Sequence, residues 1–183
     1  TNALCEANIL CIGKPMAEVT PTPITIRSLE LSDSDRAREL FVAGMNSQRP
    51  NLPNETAKGD LDGYLAHCLA DDMANPYEHY VTSESKSGFW LAISGDEIVG
   101  TVAVAPSADR LDVAEVFRVS VDGRFRRQGI AGLLMDTAES WSIQNDYTGI
   151  MLQTTEYLAA AHRLYESRGY ELRKRLQFGQ IKG

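Results

Sequence analysis

Apolar positions recur along this chain with two periods, and the switches between them lay out its elements. Alternation from Ile24 to Leu29 predicts a first strand. Ala37, Leu40, Phe41 and Met45 share one helical face, with Ser32 or Ser34 placed to cap it. Gln48 to Lys58 is polar, carries Pro50 and Pro53, and reads as a loop. A second helix starts near Asp60 and turns Leu61, Leu65, Cys68 and Leu69 inward. Phe89–Ile93 and Ile98–Val104 read as strands joined by the Ser94-Gly95-Asp96 hairpin signal, and Val116–Val121 as another. Ile130, Leu133, Leu134, Ala138 and Trp141 give a strong helical pattern. Gly149–Gln153 is a strand, Leu158–Arg168 a helix stopped at Gly169, and Tyr170–Leu172 and Leu176–Ile181 two closing strands. The order β-α-α-β-β-β-α-β-α-β-β predicts a mixed sheet with helices on its faces.

The 183 residues suffice for one domain. Residues 1–23 end in Thr20-Pro21-Thr22-Pro23, which suits an extended connector, so residues 24–183 are expected to form the domain. No run of about 18 apolar residues occurs, so no membrane span is expected. The net charge of −7 disfavours nucleic acid and anionic membranes and favours a cationic partner such as an amine. Cys5, Cys11 and Cys68 make no disulfide framework and suit a reducing, cytoplasmic setting. His67, His79 and His162 have no metal-ligand spacing, so no metal is expected.

One stretch carries chemistry. The strand Val116-Phe-Arg-Val-Ser-Val121 feeds the loop Asp122-Gly-Arg-Phe-Arg126-Arg127-Gln128-Gly129, which opens a helix at Ile130-Ala131. The first N–H groups of a helix lack internal partners and sit at its positive end, a ready seat for phosphate. Gly129 and Ala131 keep that seat open, and Arg124, Arg126 and Arg127 add local positive charge. The spacing matches neither a P-loop nor a dinucleotide fingerprint.

Arg126-x-x-Gly129-x-Ala131 resembles the R/Q-x-x-G-x-G/A signature of the GNAT acetyltransferases, and Leu164-Tyr165 to Gly169-Tyr170 resembles their L-Y-x-x-x-G-F/Y ending. His67 to Met73, Gly88 to Ala92, Ile98 to Gly100 and Phe117 to Val121 resemble the camello-like members, which include cysteine S-conjugate and aspartate N-acetyltransferases. The resemblance covers roughly residues 60–178. It implies an α/β (α+β) fold: a mixed, mostly antiparallel sheet of about seven strands with helices on both faces. It implies acetyl-CoA as cosubstrate, held by backbone groups of Val119, Ser120 and Val121 and by Arg126, Arg127, Gln128, Gly129, Ile130 and Ala131. The expected acceptor is a primary amine of a small molecule or amino-acid derivative. A protein or peptide amine, or coenzyme A binding without turnover, is the alternative. The oligomeric state stays open, a homodimer included.

Amide formation needs a neutral amine and a proton for the departing thiolate; a positioned acid and base contribute about 10²–10⁴-fold. Tyr165 matches the family tyrosine that protonates the sulfur of coenzyme A. Glu115, just before Val116, stands where some members place a base, and strand alternation puts it on one face with Phe117, Val119 and Val121. The backbone N–H of Val119 is the candidate oxyanion donor. The family's asparagine seven residues before the tyrosine is Leu158 here, with Thr154 or Thr155 the substitute. Trp90 and Trp141 read as core, His162 as surface with the site lining as its alternative, and Asp71 and Asp72 as a solvated helix end or, near an acceptor loop, as a seat for an ammonium.

Overall fold

The computed structural model describes residues 22–84 and 86–175. Ile24–Ser28 (β1), Gly88–Ser94 (β2), Glu97–Pro106 (β3), Val113–Val121 (β4) and Gly149–Leu152 (β5) form one sheet in that spatial order. The first four are antiparallel neighbours, and β5 runs parallel to β4. The expected hairpin joins β2 to β3, with Ser94 opposite Glu97. The helices are Ser34–Asn46 (α1), Glu55–Ala70 (α2), Pro76–Tyr80 (α3), Ile130–Gln144 (α4) and Ala159–Ser167 (α5).

The sheet is buried on both faces. Phe41, Leu61, Leu65 and Met73 cover Phe89, Leu91 and Ala103 on one side. Ile130, Leu134, Met135 and Ala138 of α4 cover Val102, Val104 and Val116 on the other. Strands covered on both faces read as continuous apolar runs, which is why Gly88–Ile93 shows little alternation.

Four expectations change. Neither Ser32 nor Ser34 caps α1: the chain enters it through a 3-10 turn, Leu31–Asp33, where the Asp33 carboxylate accepts from Glu30 N (2.9 Å) and from Arg27 (2.6 and 3.0 Å). An acceptor that satisfies both an orphan N–H and a guanidinium outcompetes a serine hydroxyl. The second helix starts at Glu55 rather than near Asp60, because Asn54 Oδ1 caps it through Ala57 N (2.9 Å). The unexpected α3 starts the same way, with Asn75 capping and Pro76 in the first turn.

The fourth change concerns the sheet, which has five strands among the described residues rather than seven. Tyr170–Leu172 is not a strand. Gly169 takes φ +86°, and the Gly169 and Tyr170 N–H groups close α5 onto Glu166 O and Tyr165 O (both 3.0 Å). This double closure commits the Tyr170 amide to the helix end instead of a ladder. The expected strand over 176–181 and nearly all of the 1–23 extension lie outside the described residues.

Close packing against β2 generates a test. A Cβ on Gly88 would stand 2.4 Å from Trp90 Cη2, and the Trp90 ring is itself set edge-on against Trp141 at 5.3 Å. Gly88→Ala is expected to lower unfolding stability by about 1–3 kcal/mol through forced displacement of that ring. Urea denaturation followed by tryptophan fluorescence measures it; an unchanged midpoint would show that the pair repacks without strain.

Candidate active site

Strand β4 carries one residue more than its partner. Thr101 faces Ser120 while Ala103 faces Phe117, so three steps on β4 match two on β3. The extra residue sits at Arg118–Val119, and Arg118 takes φ +55°. Thr101 Oγ1 donates to the Arg118 carbonyl (2.7 Å), satisfying a group near the interrupted ladder. A bulge shifts the alternation, so the expected common face breaks. Phe117 packs with the α1–α2 cluster, whereas Val119 and Val121 pack with the α4 cluster. Glu115 alternates with Val116 and stays on the Phe117 side.

The Arg118 side chain is buried. Its guanidinium donates to both Asp72 oxygens (2.7 and 2.6 Å) and to Tyr64 Oη (2.8 Å). It stacks within 4.9 Å of the Phe41 ring centroid and 5.8 Å of Phe117. Tyr80 Oη donates to Asp72 (2.5 Å). Burial works against the guanidinium charge, but the Asp72 hydrogen bonds and surrounding partners outweigh it and raise its pKa. Asp72 is therefore not a solvated helix end, although its neighbour Asp71 is exposed. An arginine inside an apolar strand was the available signal for this pair, since such a charge is rarely buried unpaired.

Beyond the Val116–Leu152 pair the β4–β5 ladder stops. A cleft lies there, with Val116, Phe117, Val119 and Ser120 on the β4 side. Gln153, Thr154, Leu158 and Tyr165 face them. Glu115, buried at the same place, accepts from Gln153 Nε2 (2.8 Å). Burial pushes its pKa up, the Gln153 hydrogen bond opposes this, and nearby Asp109 adds to the rise. Tyr165 Oη has no hydrogen-bond partner among the described residues, and burial pushes its pKa to about 12. Thr155 Oγ1 donates to the fully buried Gln48 (2.8 Å), which leaves Thr154 as the hydroxyl without a side-chain partner. His162, expected at the surface, is part-buried, and its Nε2 donates to Thr155 O (2.9 Å).

Val121 and the loop from Arg126 to Ala131 continue from β4 outside this cleft, at the start of α4. Gly129 precedes the helix with φ +81°, and nothing lies within 4 Å of where its Cβ would be. The loop is less basic than its composition. Arg124 is held by Asp122 and Glu97, and Arg126 donates to Ser47 Oγ (3.1 Å) and Val121 O (3.3 Å). Arg127 and Gln128 are exposed. No His/Cys/Asp/Glu group able to hold a metal ion, and no helix long and apolar enough to cross a membrane, occurs among the described residues.

Residues 55–170 match the model of the acetyltransferase (GNAT) family. The chain belongs to that family. It is 38% identical to human N-acetylaspartate synthetase over 110 residues, 60% of this chain and 36% of that protein. It is also 38% identical to rat N-acetyltransferase 8 over 111 residues, 59% of this chain and 50% of that one. The chain thus spans half or less of these two relatives' lengths. Among solved structures, the PaiA N-acetyltransferase of Thermoplasma acidophilum, in complex with coenzyme A, superposes with a TM-score of 0.72. That match covers 85% of this chain and 94% of the other at 14% identity. A GNAT acetyltransferase from Staphylococcus aureus Mu50 gives 0.67 over 87% and 90% at 21% identity. At such identities these two likenesses speak to the fold, and the GNAT fold is what they share with this chain.

The buried pair makes the GNAT seam testable. Arg118→Met strands the Asp72 carboxylate, and a buried charge without its partner costs about 3–5 kcal/mol. The double variant Arg118→Met/Asp72→Leu is expected to recover part of that loss, the remainder reflecting the buried Tyr80 hydroxyl left without its acceptor. Urea denaturation of the three proteins measures the coupling, and additive losses would show that the pair acts independently.

Proposed function

We propose that this chain is an acetyl-CoA-dependent N-acetyltransferase acting on a primary amine of a small molecule or amino-acid derivative. The observation that carries the reading is the cleft at the β4–β5 divergence, with a free Tyr165 hydroxyl and the buried Glu115 at one place. The names of the two similar proteins, an N-acetylaspartate synthetase and an N-acetyltransferase, support acyl transfer to a small amine.

The residues present fit acetyl-CoA. The edge of β4 past Val116 has no strand partner among the described residues, so an extended pantetheine arm can pair there as a strand would. The open Cβ position at Gly129 leaves the α4 amides accessible to the pyrophosphate. Thr154 is the hydroxyl available to the arm across the cleft. The Val119 N–H is the candidate donor to the thioester oxygen.

Glu115, directly or through a water, takes the proton from the attacking amine. The nitrogen lone pair forms the C–N bond, and collapse of the tetrahedral adduct breaks the C–S bond. Tyr165 supplies a hydrogen bond and a proton to the leaving sulfur. A phenol whose pKa burial raises to about 12 stays protonated throughout the working range, so it remains available there as a donor.

Gly129→Val places a branched side chain in the open phosphate seat and at a left-handed φ. It is expected to weaken coenzyme A binding at least roughly tenfold while the domain still folds. Tyr165→Phe is expected to lower kcat by about 10-fold or more with little change in acetyl-CoA affinity. Calorimetric titration and a free-thiol release assay measure both. Unchanged coenzyme A affinity in the first variant would remove the assignment of the seat, and full turnover in the second that of the acid.

Glu115 acts as carboxylate, so activity rises with pH through its pKa. Gln153→Leu removes the hydrogen bond that holds that pKa down. The acidic limb of the kcat/KM profile is therefore expected to move to higher pH, with the plateau rate largely kept. A limb that stays in place would exclude Glu115 as the group titrating there.

A further inference from the structure

A second pocket adjoins the thioester cleft. Glu115, Phe117 and Arg118 line both, so the two spaces meet at these three residues. Its remaining walls include His67 and Asp71 at the end of α2, His79 and Tyr80 on α3, and Ala105 on β3. Ala105 stands directly opposite Glu115 in the sheet. A molecule in this pocket therefore adjoins the proposed base without occupying the cleft proposed for the cosubstrate.

The charges of the pocket do not balance. The Arg118 guanidinium is paired with Asp72 at 2.6 Å, and its remaining effect on Glu115 ranks below the Gln153 hydrogen bond and the opposing charge of Asp109. Asp71 is exposed, and no cation among the described residues pairs with its side chain. The only side-chain hydrogen bond to Glu115 among the described residues is from the neutral Gln153. Asp109, at the β3–β4 connection, is near enough to act on Glu115 electrostatically. His67 and His79 add imidazole donors and acceptors, and both are exposed. Asp71, Asp72 and Glu115 thus line the pocket and Asp109 acts on Glu115 from nearby, against Arg118 as the one arginine in the lining, which is itself paired with Asp72.

We propose that this second pocket is the acceptor port and that it selects primary amines of neutral or positive overall charge against dicarboxylates. The inference rests on the acetyltransferase reading and adds to it the side of entry and the charge class of the acceptor. Asp71 meets the ammonium at the mouth, and Glu115 receives it where the two spaces meet, so that the amine loses its proton beside the thioester. A dicarboxylate acceptor carries its second carboxylate into a field already negative, and like-charge juxtaposition is an effective means of rejecting a partner. The aspartate in the name of the N-acetylaspartate synthetase would then be a poor acceptor here.

The test uses one α-amine at three charges: L-alaninamide (cationic), L-alanine (zwitterionic) and L-aspartate (net anionic). Binding to the coenzyme A-loaded protein is followed through the His67 and His79 imidazole resonances, assigned with His67→Gln and His79→Gln, and turnover through thiol release from acetyl-CoA. Affinity and kcat/KM are expected to fall in the order given, by roughly tenfold or more between the ends of the series. Asp71→Asn should compress that ratio several-fold and leave the KM for acetyl-CoA unchanged. Aspartate bound or acetylated as well as alaninamide, a ratio indifferent to Asp71→Asn, or imidazole signals that move with none of the three would overturn the port. Binding in the expected order without thiol release would support the pocket's selectivity and overturn acetyl transfer instead, so the two failures are distinct.

Discussion

The ion pair between Arg118 and Asp72 holds the geometry on which the site depends. Arg118 sits at a left-handed φ, which costs a residue with a Cβ about 1–2 kcal/mol. Such a conformation persists where surrounding contacts over-determine it. Here both carboxylate oxygens of Asp72, the Tyr64 hydroxyl and the faces of Phe41 and Phe117 fix the guanidinium. The pair ties the turn after α2 to the middle of β4, across 46 residues of sequence. With the side chain anchored on the α1–α2 side, the backbone has to carry its extra residue at this point. The bulge results, and with it the switch that turns Val119 toward the α4 side.

The opposite wall of the cleft is held by side chains rather than by a ladder. After Leu152 the chain leaves the sheet, and three contacts pin the segment leading into α5. Gln153 reaches β4 through Glu115, Thr155 reaches the end of α1 through the buried Gln48, and His162 folds α5 back onto the Thr155 carbonyl. Each contact joins a different element, so the segment is fixed in position while its backbone edge stays apart from β4. A continued parallel ladder would have closed this space. Polar side-chain contacts keep it open and also place a neutral donor on a carboxylate whose burial would otherwise favour its protonated form.

The elements with long, uninterrupted periodicity were legible in the sequence. The α4 helix, the β2–β3 hairpin and the Gly169 stop of α5 all lie where the pattern puts them, because one local rule decides each, although Leu133 of the α4 stripe is exposed and Met135 takes a buried place beside Leu134. The helix starts escape such a reading where two capping residues compete: Asp33 prevails over its serine neighbours because Arg27 draws it in, and Asn54 starts α2 ahead of its apolar face. Glu115 and Tyr165 were legible as residue types at family spacing, and the structure brings both to one cleft. The common face expected for Glu115, Val119 and Val121 fails because alternation assumes a regular strand, and the bulge answers to a partner 46 residues away. Asp72 escapes for the same reason: nothing within the local sequence distinguishes it from Asp71 until Arg118 is placed beside it.

Counting arginines also misjudges the proposed phosphate seat. Arg124 is paired with Asp122 and Glu97, and Asp122 is shared further with Arg36. Arg126 is occupied with Ser47 and the Val121 carbonyl. Of the three arginines in the loop, Arg127 alone has no side-chain partner among the described residues. What remains aimed at an anion is backbone: the α4 amides after Gly129, with nothing above the glycine to cover them. Helix-start amides are fixed dipoles that do not need to be freed from a competing carboxylate before they bind. In a chain of net charge −7 that distinction decides the matter. Loose arginines would pair with the surrounding acids, as Arg124 does, whereas the amides cannot rotate away from the seat. Under the proposed function, recognition of the anionic cosubstrate therefore falls to the conformation of Gly129 and the direction of α4, with Arg127 as the supplementary charge.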